Sequence, residues 1–340
     1  RVPDHAAINE AVALSPRRSK GFVNAILRGF CRDGKQIPLP DAAAEPIRHL
    51  SVAYSVSPSV AECFLHTFGA ARAASVLAAF GQHPPITVRV NTLRLSREEF
   101  LQRVEGATPT KLAPFGAILP DGAPLHDLLW EGLCFVQDEA SQIAGVALAA
   151  APGMRVLDLC AAPGSKSFGA ALSMENTGEL HSFDLHENKL SLVREGATRL
   201  GITNMTVAAA DARTADPAVL GSFDRVICDV PCSGLGVIGK KPDIRYKNMA
   251  DAAGLVPVQR DILAAAAKCV APGGVLLYST CTLLPAENEA QVQAFLATHP
   301  DFALEPFSAG ALAVEAGMLT LTPDTHGTDG FFIAKLRCKG

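Results

Sequence analysis

From residue 151 onward, short apolar segments alternate with amphipathic helical segments, and this alternation restricts the fold more than any other feature of the chain. Segments typical of buried strands occur at 155–159, 180–184, 204–209, 224–229 and 274–279, and two more occur near 317–322 and 330–337. Strands that alternate with helices form a parallel, doubly wound sheet. Such sheets bind ligands at the carboxyl ends of their strands. Candidate site residues are therefore sought at these strand ends.

The residues before 151 have a different pattern. Residues 20–32 place apolar side chains at helical spacing, and the segment from about 41 to 82 is Ala-rich and helical in character. Residues 86–91 alternate like a strand, and Ser96 is placed to cap a short helix. Strand-like pieces follow near 116–119 and 132–137, and a helix from about 139 to 149 closes the region. We therefore predict a helical segment over 1–40, a small α+β domain over 41–150, and the α/β domain over 151–340.

Charge and cysteine content exclude several classes of protein. The 340 residues include 30 Lys and Arg against 34 Asp and Glu, a formal net charge of −4, so any binding to a polyanion must use local patches. Residues 1–35 form one such patch, with seven basic and three acidic residues. The nine cysteines lack a CxxC pair, which argues against a disulfide framework or a zinc site. We expect a cytoplasmic monomer with no bound metal and no membrane span.

Acidic residues and small residues follow the first strands. The loop after the first strand contains Cys160, Ala161, Ala162, Pro163, Gly164, Ser165 and Lys166, whose small side chains let a ligand approach the backbone and a helix N-terminus. Asp184 ends the second strand, where a carboxylate binds ribose hydroxyls, and Asp211 follows the third. Each acid alone is typical of a helix cap or a turn. Together they predict a nucleoside cofactor that lies across the sheet.

Two cysteines lie just past the fourth and fifth strands. Cys232 follows Asp229, and Cys281 follows the strand that ends near Ser279. A lone cysteine is usually an inert apolar residue, but these two loop positions face the crevice, where nearby cations or helix N-termini would favour a thiolate. Gly234 to Gly239 satisfy a GxGxxG pattern, but no tight strand–turn–helix surrounds them, so we interpret them as a flexible loop over the substrate rather than a dinucleotide fingerprint.

Four cations follow this loop and are candidates for contact with nucleic acid. They are Lys240, Lys241, Arg245 and Lys247. These side chains are able to bind phosphates, and Tyr246 is able to stack on a base. A solvated loop with no partner is the alternative interpretation, and the sequence leaves both open.

These features together resemble the RNA (cytosine-5) methyltransferases, most closely the Sun/Fmu branch typified by bacterial 16S rRNA methyltransferase B. The matching motifs are Asp158 to Lys166, Asp229 to Gly234, Ser279 to Thr282, Val136 to Ser141 and Asp329 to Phe332. Residues 20–28 are similar to the last part of the family's antitermination-factor (NusB)-like RNA-binding domain, most of which would be missing here. Ser165 and Ser167 replace the Gly and Thr common in the family, and both are small enough to keep the loop.

The resemblance implies a Rossmann-like domain with a seven-stranded sheet, S-adenosylmethionine as the methyl donor and RNA, specifically 16S rRNA, as the partner. It implies that residues 160–166 hold the methionine side of the donor, that Asp184 holds the ribose, and that Asp211 and Asp229 line the adenine and methyl-transfer regions. It also implies that Cys281 is the nucleophile, that Cys232 aids product release, and that Lys166 assists in the pocket. Spacing alone leaves the roles of the two cysteines open.

Three other interpretations remain at this stage. A DNA cytosine-5 methyltransferase would use the cysteine that corresponds to Cys232 as its nucleophile, but no large target-recognition insert follows Cys281. A non-catalytic RNA-binding assembly factor would have no need of the intact cysteines and cofactor loop. A nicotinamide oxidoreductase would rest only on the misplaced GxGxxG pattern.

Overall fold

The computed structural model describes residues 2–34, 38–310 and 312–340. Arg1 and Lys35, two of the basic residues counted in the N-terminal patch, lie outside the described residues. Within the described ranges, each helix is too short or too polar to cross a membrane.

In the described residues, four α-helices precede the first strand. They are α1 (Asp4–Leu14), α2 (Lys20–Arg32), α3 (Pro46–Tyr54) and α4 (Pro58–Ala79). Proline opens both α3 and α4, where its missing N–H costs no helical hydrogen bond. The predicted helix over 20–32 is confirmed, and it packs against α1 while Phe22 and Ile26 remain exposed. Helix α4 is interrupted at Gly69, whose φ of +73° is not helical.

A small antiparallel sheet follows these helices. Its strands, in the order β2-β3-β1-β4, are β1 (Ile86–Val90), β2 (Thr108–Pro109), β3 (Gly116–Leu119) and β4 (Cys134–Val136). Helices α5 (Arg97–Arg103) and α6 (Leu125–Trp130) accompany it. The predicted cap is confirmed as a capping box, in which Ser96 and Glu99 each satisfy the other's backbone N–H. Helix α7 (Glu139–Leu148) then leads into the large sheet.

The large sheet contains all seven predicted strands and one more. Its parallel strands are β5 (Arg155–Asp158), β6 (Glu179–Asp184), β7 (Met205–Ala209), β8 (Phe223–Asp229) and β9 (Val270–Thr280). The antiparallel strands are β10 (Phe302–Leu304), β13 (Met318–Leu321) and β14 (Phe331–Cys338). Strands β11 (Phe307–Ala309) and β12 (Leu312–Val314) form a separate pair. The short strand β10 was not predicted.

Helices cover both faces of this sheet. They are α8 (Ser165–Ser173), α9 (Glu187–Leu200), α10 (Pro217–Leu220), α11 (Met249–Ala253), α12 (Leu255–Lys268), α13 (Glu289–Thr298) and α14 (Pro323–His326). Strand side chains alternate between two cores: Val156 packs with α7, α8 and α9, whereas its neighbour Leu157 packs with α12 and α13. This burial on both faces explains the continuous apolar runs in the sequence.

The strand order determines where a ligand can bind. The chain adds β6 and β7 on one side of β5, and then β8 and β9 on the other side, so the order β9-β8-β5-β6-β7 has a switch point between β5 and β8. A crevice opens at the carboxyl ends of these two parallel strands. Strand β8 pairs with β9 so that Asp229 lies opposite Ser279. Cys232 and Cys281 follow these paired residues by three and two positions, and the pairing therefore brings the two cysteines to the same point of the crevice.

Candidate active site

Two cavities meet at this crevice. The first, here called the cofactor-side cavity, has a volume of about 390 Å³ and is lined by Cys160, Ala162, Asp184, Asp211 and Asp229 among others. The second, here called the substrate-side cavity, has a volume of about 490 Å³ and is lined by residues that include Lys166, Asp229, Lys241 and Cys281. Asp229 lines both cavities, so a group bound in one can meet a group bound in the other beside its carboxylate.

The loop after β5 contributes to both cavities. Cys160 and Ala162 line the cofactor-side cavity, whereas Pro163, Ser165 and Lys166 line the substrate-side cavity. Ala161 and Gly164 are buried. Gly164 has a φ of +113°, and a Cβ there would lie 2.3 Å from the ring of Phe168, so this turn requires glycine.

Asp158 is a structural anchor for this loop. It is 1% exposed, and its carboxylate accepts hydrogen bonds from the Cys160 amide at 3.2 Å and the Ser167 hydroxyl at 2.6 Å. Burial raises the pKa of Asp158 to about 7. These bonds tie the start of the loop to the first turn of α8.

Asp184 and Asp211 lie at the open side of the cofactor-side cavity. Asp184 accepts hydrogen bonds from the amides of Ala162 at 3.1 Å and His186 at 3.0 Å, which fix the orientation of its carboxylate. Both carboxylate oxygens of Asp211 accept from the guanidinium of Arg213, and this pairing lowers the pKa of Asp211. Val258 and Ile262 add an apolar wall.

Asp229 is held between a cation and a hydroxyl. The ammonium of Lys166 donates to Asp229 Oδ2 at 2.6 Å, and the Ser279 hydroxyl donates to Oδ1 at 2.8 Å. Lys166 Nζ also lies 4.9 Å from the centre of the Phe331 ring. The side chain of Lys166 is only 10% exposed, so this ion pair is held in a partly desolvated site.

The two cysteines are in direct contact, with 3.3 Å between their Sγ atoms. The hydrogen bond between the two thiols lowers the pKa of Cys281. Burial and the Asp229 carboxylate oppose this effect, whereas Lys166 and Lys241 add to it. The same hydrogen bond and burial raise the pKa of Cys232. The arrangement favours a thiolate on Cys281 and a thiol on Cys232.

The structure gives three of the four candidate phosphate-binding cations a partner within the protein. Lys240 bridges Asp138 at 2.5 Å and Asp329 at 2.9 Å. Arg245 donates to the backbone carbonyls of Tyr54 and Phe80, and Lys247 donates to that of Ser233. Lys241 is exposed at the rim of the substrate-side cavity. RNA contact by these four residues stays a prediction, and the geometry favours Lys241 most.

The glycine-rich segment 234–239 is tightly packed, so the expectation of a flexible loop was wrong. Leu235 and Ile238 are fully buried. The Gly236 amide donates to the Cys281 carbonyl, and the Gly236 carbonyl accepts from the Gly330 amide. A Cβ on Gly236 would lie 1.9 Å from the Gly330 carbonyl oxygen. The glycines allow close contact between backbones. Val237 from this segment and Lys240, the residue after it, line the substrate-side cavity.

Sequence reasoning missed three residues that contact the cysteine loops. They are Gln259, Glu287 and Asn288, and all three are buried. Glu287 and Asn288 come just before a helix, where such residues are common as caps. No signal in the single sequence separates a cap from a buried contact to a distant loop.

The strand order, the acidic strand ends and the cysteine pair define the class of Rossmann-like methyltransferases. The chain belongs to the 16S rRNA methyltransferase RsmB/F family, whose model matches residues 145–337. A model of the ferredoxin-like domain of RsmF/B-like methyltransferases matches residues 61–124. The resemblance to this family and the predicted fold class are therefore confirmed, and the chain is an rRNA methyltransferase.

Individual relatives agree with this assignment. The probable ribosomal RNA small subunit methyltransferase B of Bacillus subtilis (strain 168) is 38% identical, over 100% of this chain and 79% of that protein. A methyltransferase homologue from Pyrococcus horikoshii superposes with a TM-score of 0.74 and 30% identity, over 86% of this chain and 99% of that one. NSun6 from Pyrococcus horikoshii, solved with SFG, shares the fold, with a TM-score of 0.72 and 23% identity over 83% and 98% of the two chains.

Proposed function

We propose that this enzyme uses S-adenosylmethionine to methylate C5 of a cytosine in small-subunit (16S) ribosomal RNA, through a covalent bond between Cys281 and C6 of the base. The observation that carries the proposal is the cysteine pair, with 3.3 Å between its sulfurs, beside a carboxylate that lines both cavities. A methyltransferase that attacked with a nitrogen or a hydroxyl oxygen of its substrate would have no need of such a pair.

The cofactor-side cavity fits a charged nucleoside. The oriented carboxylate of Asp184 has lone pairs left for ribose hydroxyls, and Val258 and Ile262 offer an apolar surface to a base. Residues 160–166 would enclose the methionine portion, with Asp211 near the adenine. When bound, S-adenosylmethionine supplies an electrophilic methyl carbon. Asp229 would lie beside that carbon, because its carboxylate is the point shared by the two cavities.

The substrate-side cavity supplies the nucleophile that cytosine requires. Cytosine C5 is a weak nucleophile, and addition of a thiolate at C6 makes it reactive, which divides one difficult step into two easier ones. Cys281 lines this cavity, and the pKa of its thiol is lowered. The carboxylate of Asp229 would orient the N3/N4 edge of the base, and Lys166 would stabilise the charge that develops as Cys281 adds.

Cys232 would act after methyl transfer. The C5 proton must then leave, and the bond between C6 and Cys281 Sγ must break. Cys232 keeps its proton while Cys281 is a thiolate, because its pKa is raised by the hydrogen bond with Cys281 and by burial. Once Cys281 is bonded to C6, that hydrogen bond is lost, and Cys232 can give its own proton to solvent and act as the base. It then takes the C5 proton as the C5=C6 double bond forms and the C6–Sγ bond breaks, so that Cys281 leaves as a thiolate.

The remaining regions would bind and locate the RNA. In this proposal residues 1–40 belong to a helical RNA-binding domain, residues 41–150 form the adjoining α+β domain, and residues 151–340 carry catalysis. Lys241 would contact a phosphate at the cavity rim, and the target base must leave its helix to enter. We also place the enzyme in the cytoplasm, which agrees with its nine free cysteines, and we expect it to be a monomer.

A transfer assay with tritiated S-adenosylmethionine tests the proposal. Methyl groups should enter 16S rRNA, and digestion should yield 5-methylcytosine, whereas DNA should remain unlabelled. Cys281→Ala should abolish transfer, while the matched control Cys338→Ala, at the far end of β14, should keep it. Labelled DNA, or a labelled base other than cytosine, would overturn the proposal. Calorimetry should show binding of S-adenosylmethionine, and its absence would instead favour an assembly factor without catalysis.

A further inference from the structure

Two consecutive residues hold the loops that carry both active-site cysteines. Glu287 ends a 3-10 turn (Pro285–Glu287), Asn288 follows it directly before helix α13, and each of the two residues is 1% exposed. Neither lines the two cavities, and the proposed chemistry does not use either side chain. Their contacts are nevertheless concentrated on the residues that flank Cys232 and Cys281.

Glu287 fixes the loop of Cys232 from both sides. Its Oε2 accepts a hydrogen bond from the Ser233 amide at 2.9 Å and another from Gln259 Nε2 at 2.8 Å. The same Gln259 nitrogen donates to the Pro231 carbonyl at 2.9 Å. The residues before and after Cys232 are therefore attached to one buried carboxylate, directly or through Gln259.

Asn288 fixes the loop of Cys281 in the same manner. Its Oδ1 accepts from the Thr280 hydroxyl at 2.6 Å, and its Nδ2 donates to the Thr282 carbonyl at 3.0 Å. The residues before and after Cys281 are therefore attached to one buried amide.

The two attachments are joined, so that one short segment determines the distance between the sulfurs. The hydroxyls of Ser233 and Thr282 are 2.6 Å apart, which links the two cysteine loops directly. The buried Tyr278 hydroxyl donates to the Glu287 carbonyl at 2.6 Å and fixes the segment to β9. A rotation of Glu287 or Asn288 would move one sulfur relative to the other.

The carboxylate of Glu287 is costly for a purely structural residue. Among the residues that the structure describes, neither its Oε1 nor Oε1 of Gln259 has a hydrogen-bond partner. Within the described ranges no cation forms an ion pair with Glu287. A buried, unpaired carboxylate oxygen destabilises a fold, and groups of this kind concentrate at functional sites.

We propose that Glu287 and Asn288 are positioning residues with separate tasks: Asn288 places Cys281 for attack on C6, and Glu287 places Cys232 for the release of the product. This inference rests on the proposed function. It predicts that the two neighbouring residues affect different steps of one reaction, which a shared structural role would not produce.

Single-turnover reactions of the full chain with S-adenosylmethionine and 16S rRNA test this. Denaturing gels report the protein–RNA adduct, and the methylated RNA reports release. Asn288→Ala should slow adduct formation on the order of 10- to 100-fold, the range expected for lost buried hydrogen bonds. At alkaline pH, where Cys281 is ionised wherever Cys232 lies, Glu287→Ala should form the adduct within about threefold of the wild-type rate but release it on the order of 10- to 100-fold more slowly, so that adduct accumulates.

Two kinds of variant separate positioning from stability. Glu287→Gln keeps an oxygen that can accept from Ser233 and should restore release. Gln291→Ala is the matched control, because Gln291 is 5% exposed and donates to the Val256 carbonyl rather than to a cysteine loop. It should leave both steps within about threefold of wild type. Should the alanine variants fail to fold, the isosteric Asn288→Asp must slow adduct formation while Glu287→Gln must not.

The outcomes are distinguishable. Equal slowing of both steps by Asn288→Ala and Glu287→Ala, or an effect no larger than that of Gln291→Ala, would overturn this inference and leave the proposed function intact. A wild-type enzyme that forms neither adduct nor 5-methylcytosine would overturn both.

Discussion

Replacement of Cys232 by alanine should change the two halves of the reaction in opposite ways. The substitution removes the S–H group that lies 3.3 Å from Cys281 Sγ. The hydrogen bond from Cys232 is the main cause of the lowered pKa of Cys281, so this pKa should rise in the variant. The variant should therefore form the adduct more slowly at neutral pH. It should also keep the adduct, because the group proposed to promote release is absent.

The size of the first effect follows from the strength of the lost bond. A hydrogen bond to a charged group contributes about 1.5 to 3 kcal/mol, so its loss reduces the thiolate population about 10- to 100-fold below the pKa. A thiolate of higher pKa is intrinsically more nucleophilic, and this offsets nearly half of the effect on a logarithmic scale. We therefore expect adduct formation to slow by about 3- to 10-fold.

The pH dependence gives this prediction a definite sign. A thiol whose pKa rises needs a higher pH to ionise, so the acidic limb of the adduct-formation profile should move to higher pH in Cys232→Ala. The deficit should disappear at alkaline pH, where Cys281 is ionised in both proteins. Rapid-quench experiments across this range, with adduct measured on denaturing gels, provide the profile, and Cys338→Ala serves as the control.

Two results would refute the reasoning. An unchanged acidic limb in Cys232→Ala would show that the contact between the sulfurs does not stabilise the thiolate. Adduct formation by Cys281→Ala would show that the roles of the two cysteines are reversed.

Three further changes test other parts of the molecule. Gly236→Ala should prevent stable folding, because its Cβ would lie 1.9 Å from a backbone oxygen. The control Gly254→Ala, whose Cβ would lie 3.6 Å from the nearest atom, should change the free energy of unfolding by no more than about 1 kcal/mol. Thermal unfolding compares the two variants, and a normally stable Gly236→Ala protein would contradict the packing. Lys241→Gln should lower the slope of log affinity against log salt by about 0.7, as for one phosphate contact, and an unchanged slope in filter binding would remove Lys241 from the RNA interface. The hydrogen bond from Arg337 lowers the pKa of Glu305 from 4.5 to about 2, so the stability that this ion pair adds to the fold is present above pH 4.5 and is lost towards pH 2. In urea unfolding, Glu305→Gln should lower the free energy of unfolding by about 2 kcal/mol at neutral pH and by almost nothing near pH 2. An equal loss at both pH values would disprove this linkage.

Features that depend on neighbouring residues were predictable. The seven strands and the helix cap at Ser96 were predicted from the sequence alone, because apolar periodicity and caps act within a few positions. The acidic residues at the strand ends, Asp184, Asp211 and Asp229, were also identified, since parallel strands present their carboxyl ends at one edge. Strand β10 was missed because three residues are too few to show a period.

The tertiary structure decided which of these residues meet. Cys232 and Cys281 are 49 positions apart, and only the pairing of Asp229 with Ser279 brings their sulfurs within 3.3 Å. Only the fold shows the partners of Lys240. The sequence made its ammonium a candidate for binding a phosphate, but in the structure it forms ion pairs with Asp138 and Asp329.

The sequence by itself therefore determined the α/β class, the position of the crevice and the types of reactive groups in it. Packing between distant segments decided which thiol has a lowered pKa, which of the candidate cations pair within the protein, and that Glu287 and Asn288 contact both cysteine loops. The physical reason is range. Apolar periodicity and helix caps depend on a few consecutive residues. Hydrogen bonds and ion pairs in a buried site depend on contacts between distant residues, which exist only in the folded chain.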